Sequence, residues 1–399
     1  MKMKLFLLIT CAYVFINSCS SDNTTTETPI TEAETPDPEP DPDPVDPDSV
    51  GTDWEGIAVP ASAGEGKSWK LQSDSSDDFN YSFAATSAEA TFGNKWTNFY
   101  HNNWEGPGPT KWVRQNVSVS GGELQIKASR NDGEMKSFDV DCDTDGVTET
   151  WTLPTTRAGC ITSTKRVLYP VYIEARVRVA NAVTASDVWL LSPDDTQEID
   201  IIEAYGGKGE DDRNVWLAER VHLSHHTFIR DPFQDYQPTD IGSWWRKDGV
   251  NQWGGKWVRV GVYWRDPKHL EYYIDGEHVR TLSDNAFASR DINGNWQYTY
   301  PKPLEGGIIP KGGNGFQATN TATSLEEAQN SSTTSVIDPL NYLANGMNLD
   351  KEMDIIINVE DQNWNACNGR TPKDSEIQNT DDHTFKVDWI RVYKPIDAN

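Results

Sequence analysis

Basic residues are scarce in this chain. Its 399 residues include 35 Lys and Arg against 62 Asp and Glu, a formal net charge of −27. That balance excludes nucleic acid as a natural partner, because a phosphate backbone is met by clustered cations, and it disfavours strongly anionic ligands. Cysteine is rare as well, at five, and no Cys-x-x-Cys pair occurs, so a thiolate zinc site has no support. No apolar run approaches the ~18 residues of a membrane-spanning helix. Sustained helical periodicity is nearly absent, Ser324–Asn330 being the best short candidate. No internal repeat is visible either, which disfavours a solenoid or propeller.

What is present begins with an export signal. Two lysines in Met1–Lys4 precede an apolar core, Leu5–Ile16, too short to span a bilayer. Cys19 follows a small residue, Ser18, in the manner of a bacterial lipoprotein box. Residues 1–19 are therefore expected to be a lipoprotein signal peptide, with Cys19 lipidated after cleavage and the chain held on the outer membrane at the cell surface. Plain secretion is the alternative. Residues 20–50 are Ser, Thr, Asp, Glu and Pro, closing in a Pro-Asp alternation from Pro36 to Asp48. Such a segment buries almost nothing and is expected to be a disordered tether. The first 50 residues carry −8 of the −27, leaving −19 on residues 51–399. Of the cysteines beyond Cys11 and Cys19, a Cys142–Cys160 disulfide closing a local loop is the expected pair, with Cys367 left over.

From about Gly51 the pattern is that of one all-β domain. Tyr169–Val179 alternates, Val171, Ile173, Ala175, Val177 and Val179 against Tyr172, Glu174, Arg176 and Arg178. Val258–Trp264 and Leu270–Ile274 follow, and Asp275-Gly276 is a hairpin turn signal. Met353–Glu360 and Phe385–Tyr393 supply two more strands. Many strands separated by Gly, Asn and Asp turns predict an antiparallel sandwich or barrel. Long loops are expected at Asp139–Gly159, Ser283–Pro303 and Gly306–Met347. Sixteen tryptophans are many for this length. Burial explains most Trp residues, but Trp104, Trp112 and Trp364 stand among Gly, Pro and Asn and are candidate stacking platforms.

The chemistry is concentrated in Gln197-Glu198-Ile199-Asp200-Ile201-Ile202-Glu203-Ala204-Tyr205. Alternation puts Glu198 and Asp200 on one face of a strand and leaves Glu203 facing away. A one-residue bulge at Ile201–Ile202 returns Glu203 to the acidic face, and bulges favour active sites. Two carboxyls on one face, about 5–5.5 Å apart, are what a retaining glycosidase requires, one as nucleophile and one as acid then base. Asp200 between them shares their hydrogen bonds and helps to keep one neighbour protonated while another is ionised. The competing reading, solvated surface charge or a calcium site, suits an isolated Glu-x-Asp better than three acids at this spacing. Downstream, Val221–Arg230 sets His222, Ser224, His226 and Arg230 on one polar face, for which sugar hydroxyls are the favoured partner over zinc. Asp354, Ile356, Asn358 and Glu360 share another face, near Trp364.

The Glu-x-Asp-x-x-Glu motif resembles the signature of family 16 glycoside hydrolases. Further stretches resemble the bacterial β-agarases of that family: YHNNWEGPGPTKW (Tyr100–Trp112), DVWLLSPDDTQEIDIIEAYG (Asp187–Gly206), VHLSHHTFIRDPFQDYQP (Val221–Pro238), MDIIINVEDQNW (Met353–Trp364) and FKVDWIRVYKP (Phe385–Pro395). The resemblance spans nearly all of residues 51–399 and is weakest at Asp139–Ala158 and Gly294–Asn345. It implies a β-jelly-roll sandwich of two antiparallel sheets with a concave substrate cleft, and endo-acting, retaining hydrolysis of agarose. It implies Glu198 as nucleophile, Asp200 as its helper and Glu203 as acid/base. Substrate contacts would fall on Trp104, Trp112, Trp189, Asp195, His226, Arg230 and Glu360. No cofactor is required for catalysis, and a structural calcium would fall on Asp78 and Asp388. The expected partner is the polysaccharide alone, met by a monomer. A porphyranase or other red-algal galactan hydrolase is the enzymatic alternative, and a non-catalytic surface glycan-binding lipoprotein the other.

Overall fold

A computed structural model describes residues 53–87, 90–142, 146–209, 212–343, 345–346, 348–378 and 381–398. The expected signal peptide with Cys19 and the expected linker lie outside the described residues. No helix among the described residues is long and apolar enough to cross a membrane.

The strands used below are, in chain order, β1 (Trp96–Thr97), β2 (Met135–Val140), β3 (Glu149–Pro154), β4 (Cys160–Ser163), β5 (Val171–Arg178), β6 (Ala185–Leu191), β7 (Gln197–Tyr205), β8 (Val221–Arg230), β9 (Phe233–Tyr236), β10 (Trp257–Asp266), β11 (Asp354–Glu360) and β12 (Phe385–Asp397). Two short helices matter: α1 (Leu325–Ser331) and α2 (Asn363–Ala366). One large antiparallel sheet is centred on β12-β5-β10. The other runs β9-β8-β7-β6-β11-β4-β1, every neighbouring pair antiparallel. The two sheets pack face to face, as a sandwich does. Val171, Ile173, Ala175 and Val177 of β5 enter the same core as Ile199, Ile201 and Ile202 of β7 and Ile355, Ile357 and Val359 of β11.

Local chemistry accounts for several expected elements. Asp275 and Gly276 both have positive φ, +52° and +82°, as a two-residue hairpin turn between right-twisted strands demands. The helix expected at Ser324–Asn330 is α1, with Ser324 as N-cap accepting from the Glu327 N–H at 3.1 Å. On β5 the outward Glu174 is fully buried rather than solvated, because Arg391 donates to it at 2.7 Å.

Three expectations are corrected. The loops at Asp139–Gly159, Ser283–Pro303 and Gly306–Met347 hold regular structure. β2 and β3 form a hairpin, Ala286–Arg290 pairs with Trp296–Pro301, and α1 and a strand at Thr319–Ala322 fill the last. Their turn residues dominate the composition, while cross-strand pairs such as Phe138 opposite Trp151 sit far apart in sequence. The Cys142–Cys160 pairing is overturned. Cys142 joins Cys367, with Cα atoms 6.0 Å apart, and Cys160 is a free thiol on β4 buried in the core. Trp112 is not a platform at the surface. It is 3% exposed, packed in the core with its ring stacked 6.5 Å from that of Tyr100.

Candidate active site

β7 is the centre of the site. Against β6, Trp189 pairs with Asp200 and Val188 with Ile202, so Ile201 is an extra residue. The register against β8 breaks at the same place, between Asp200 and Glu203. This is the bulge that the sequence demanded. It sends Ile199, Ile201 and Ile202 into the core and turns Glu198, Asp200 and Glu203 into one cleft of about 560 Å³.

Each carboxylate is held differently. The Tyr205 hydroxyl donates to Glu203 Oε1 at 2.5 Å, and His222 Nδ1 lies 2.9 Å from Oε2. The His222 ring is itself stacked on Trp244, 4.3 Å between centroids. His226 serves the other end. Its Nε2 is 3.4 Å from Asp200 Oδ2 and 3.8 Å from Glu198 Oε1, and its Nδ1 is 2.8 Å from Asp235 on β9.

The electrostatics follow from this packing. Burial alone would discharge His226, but Asp235, Glu198 and Asp200 outweigh it and hold the imidazole well above its usual pKa, as a cation. Burial alone would raise Asp200, yet the contact and charge of His226, 3.4 Å away, keep it below the usual carboxylate range. Burial pushes Glu198 well above that range. His226 opposes the push, while Asp200, Asp235 and Glu360 add to it. His225 points the other way, to the Ile337 carbonyl at 2.8 Å, and burial lowers it to about 4, so it stays neutral.

The opposite side of the cleft is a second acid pair. Asp187, across from Glu203 on β6, accepts from the Asn358 amide at 2.8 Å, and Asn358 accepts from the Trp189 indole at 2.6 Å. Asp187 and Glu360 are both raised well above the carboxylate range, by burial first and then, for Asp187, by Glu360 and Glu203, and, for Glu360, by Glu203 and Asp200.

Of the expected contact residues, Trp104, Trp189, His226, Arg230 and Glu360 line the cleft, together with Trp364, and Trp104 is 46% exposed there. Trp112 does not. Asp195 is absent from the lining as well. At φ +56° in the β6–β7 turn, its carboxylate is bonded to His101 at 2.7 Å and Asn102 at 2.8 Å, and its carbonyl accepts from Arg230 Nε. It therefore joins the Trp104 loop to Arg230. The Arg230 guanidinium lies over Phe228 at 4.2 Å and makes no ion pair among the described residues. Tyr205, Asp187, Trp244 and Asp235 were missed by sequence reasoning. Tyr205 was legible, being two residues beyond Glu203 on the same face. The others need the strand register.

A family model described as "Beta-porphyranase A-D, GH16 domain" matches residues 69–300. The chain belongs to glycoside hydrolase family 16. It is 54% identical over 364 residues to Beta-agarase D of Zobellia galactanivorans, covering 87% of this chain and 75% of that protein. A Beta-agarase of Phocaeicola plebeius is 47% identical over 342 residues, 86% of this chain and 90% of that one. The crystal structure of the Beta-agarase D catalytic domain superposes with a TM-score of 0.82 at 53% identity, covering 87% of this chain and all of that one. Beta-porphyranase D of Zobellia galactanivorans is only 26% identical, over 56% of this chain. The family 16 fold explains why the acids sit on the concave sheet, whose bulged strand β7 carries all three.

A lysine at 230 keeps the charge but not the planar fork that spans Phe228 and the Asp195 carbonyl. Arg230→Lys is expected to lower kcat/KM on agarose by roughly 10–200-fold with little change in melting temperature. Kinetics and melting on the same preparation check this, and wild-type kinetics would remove Arg230 from the site.

Proposed function

We infer that the protein is an endo-acting, retaining β-agarase that cleaves β-1,4 galactosidic linkages of agarose to neoagaro-oligosaccharides. The observation that carries this is the carboxylate trio turned into one aromatic-flanked cleft by the Ile201 bulge, in a chain 54% identical to a β-agarase over almost its whole folded length. Glu198 attacks the anomeric carbon while Glu203 protonates the departing glycosidic oxygen, giving a glycosyl–enzyme ester. Water, deprotonated by Glu203, then attacks that carbon and releases Glu198. Tyr205 donates to one oxygen of Glu203 and His222 Nδ1 lies against the other, so the two side chains together orient the carboxyl toward the departing oxygen. Asp200 and the His226 cation balance the charge that Glu198 gains and loses.

Agarose fits better than a sulfated galactan. Of the three cations that line the cleft, His226 is held by Asp235 and Asp200 and Lys136 gives its ammonium to backbone carbonyls, which leaves Arg230. Incubation with agarose, porphyran and κ-carrageenan, scored by reducing ends and product chromatography, tests this. Faster release from porphyran would make the chain a porphyranase. Binding with no reducing ends would make it a glycan-binding protein.

Beyond catalysis, we propose export as an outer-membrane lipoprotein through Cys19, with residues 20–50 as tether and the enzyme acting as a monomer. A structural calcium at Asp78 and Asp388 is also proposed. Burial and then Asp53 raise Asp388, and burial together with Asp78 raises Asp53, repulsion that a cation would relieve. Arg176, 2.7 Å from Asp388, already supplies part of that relief. Calcium is accordingly expected to raise the melting temperature and a chelator to lower it, with turnover unchanged well below melting. A melting temperature insensitive to both would remove the ion.

A further inference from the structure

One wall of the cleft is assembled from three segments distant in sequence: the Trp104 loop, β2, and the turn into α2 with Trp364. β2 and β3 form a two-stranded sheet that pairs with no other strand among the described residues, an arrangement marginal in isolation. Two fastenings hold it, and a third contact closes the ring. Lys136, on the cleft face of β2, donates its ammonium to the carbonyls of Gly106, at 2.8 Å, and Thr110, both in the Trp104 loop. Beyond β2, Cys142 is joined to Cys367, the C-cap of α2, across 225 residues of sequence. The ring closes where Gly108, at φ +46°, packs so tightly on α2 that a Cβ there would stand 2.6 Å from the Asn363 nitrogen. Trp104 and Trp364 ride on the two segments that β2 ties together.

We propose that Lys136 and the Cys142–Cys367 disulfide form a clamp that fixes the Trp104 and Trp364 platforms for the sugar chain. Opening the clamp weakens capture of substrate without altering bond cleavage. This rests on reading the cleft as an agarase site. The reacting carboxylates hang on β7 in the middle of the concave sheet and receive no bond from the hairpin among the described residues. The platforms keep their ring contacts, Trp104 on Tyr100 at 5.4 Å and Trp364 on Tyr205 at 5.5 Å, but lose the ties of their backbones when the hairpin is released, and a chain that must order them on binding loses affinity.

The test compares the full-length wild type, the same protein reduced by dithiothreitol, Cys142→Ser/Cys367→Ser and Lys136→Met. In reduction, dithiothreitol gives two electrons and two protons, becoming its cyclic disulfide while Cys142 and Cys367 become thiols, which alkylation and peptide mass verify. At a temperature well below melting, each altered form should raise KM for long agaro-oligosaccharides about tenfold, with kcat within about twofold and the acid limb of the pH profile in place. Unchanged KM after verified reduction overturns the proposal, as does a loss confined to kcat. Should the double cysteine variant fail to fold, the reduced wild type and Lys136→Met decide. A wild type that releases no reducing ends sinks the agarase reading instead. The clamp is then judged by tryptophan-fluorescence titration with agarose and porphyran oligosaccharides, where equal affinity of all forms overturns it.

Discussion

Glu198→Ser is expected to fold normally and to lose about 10⁴–10⁶-fold in kcat on agarose, the range seen when a covalent nucleophile is removed outright. Serine cannot span the gap that the carboxyl crosses, and no base stands behind it as in a serine hydrolase. Stability should hold or rise, since the variant removes a buried carboxyl that its neighbours Asp200, Asp235 and Glu360 repel. A site built for chemistry carries that cost in the folded state. On the wild type, NMR of the first products should show the β anomer before mutarotation, because two displacements at the anomeric carbon restore its configuration. Initial release of the α anomer would exclude double displacement and with it the nucleophilic role. A Glu198→Ser enzyme with even a hundredth of wild-type turnover would do the same.

The bulge was legible because two periods collide in one strand. Glu198 and Asp200 obey the alternation of a strand, Glu203 breaks it, and the isoleucines at 199, 201 and 202 demand burial together. Only an extra residue at Ile201 satisfies both. The strands β5, β7, β8, β11 and β12 were legible for the same reason, each carrying a clean run of alternating or wholly apolar residues. The β2–β3 hairpin was not. Its apolar members Phe138 and Trp151 are 13 residues apart and meet only through pairing. The Cys142–Cys367 bond was hidden too, because proximity in sequence favoured Cys160, which the β4 strand faces into the core. Trp112 misled because its Gly- and Pro-rich surroundings suggest a loop, whereas it lies on a short strand, Thr110–Trp112, and points inward. Asp187 and Asp235 came into the site through strand order, which no local pattern encodes.

That strand order yields a prediction about pH in which two substitutions at neighbouring positions move the same limb in opposite directions. The groups acting on the Glu198 carboxyl are burial, His226, Asp200, Asp235 and Glu360, and only His226 lowers its proton affinity. As nucleophile Glu198 must be ionised, so the acid limb of the kcat/KM profile reports its protonation. His226→Gln removes the cation 3.8 Å from Glu198 Oε1. The carboxyl then binds its proton more tightly, the acid limb moves to higher pH, and turnover at the optimum falls by about 10²–10³-fold for want of a charge that steadies the departing nucleophile. Asp200→Asn does the reverse. It deletes an anion that raises Glu198, while His226 keeps its cationic state through Asp235 at 2.8 Å. The acid limb therefore moves to lower pH, with a smaller loss at the optimum. Both profiles are measured on agarose at fixed ionic strength, with circular dichroism at each pH to confirm folding. Limbs that move together, or an Asp200→Asn limb that moves upward, would show that Asp200 acts through position alone and that the charge of His226 does not set the ionisation of Glu198.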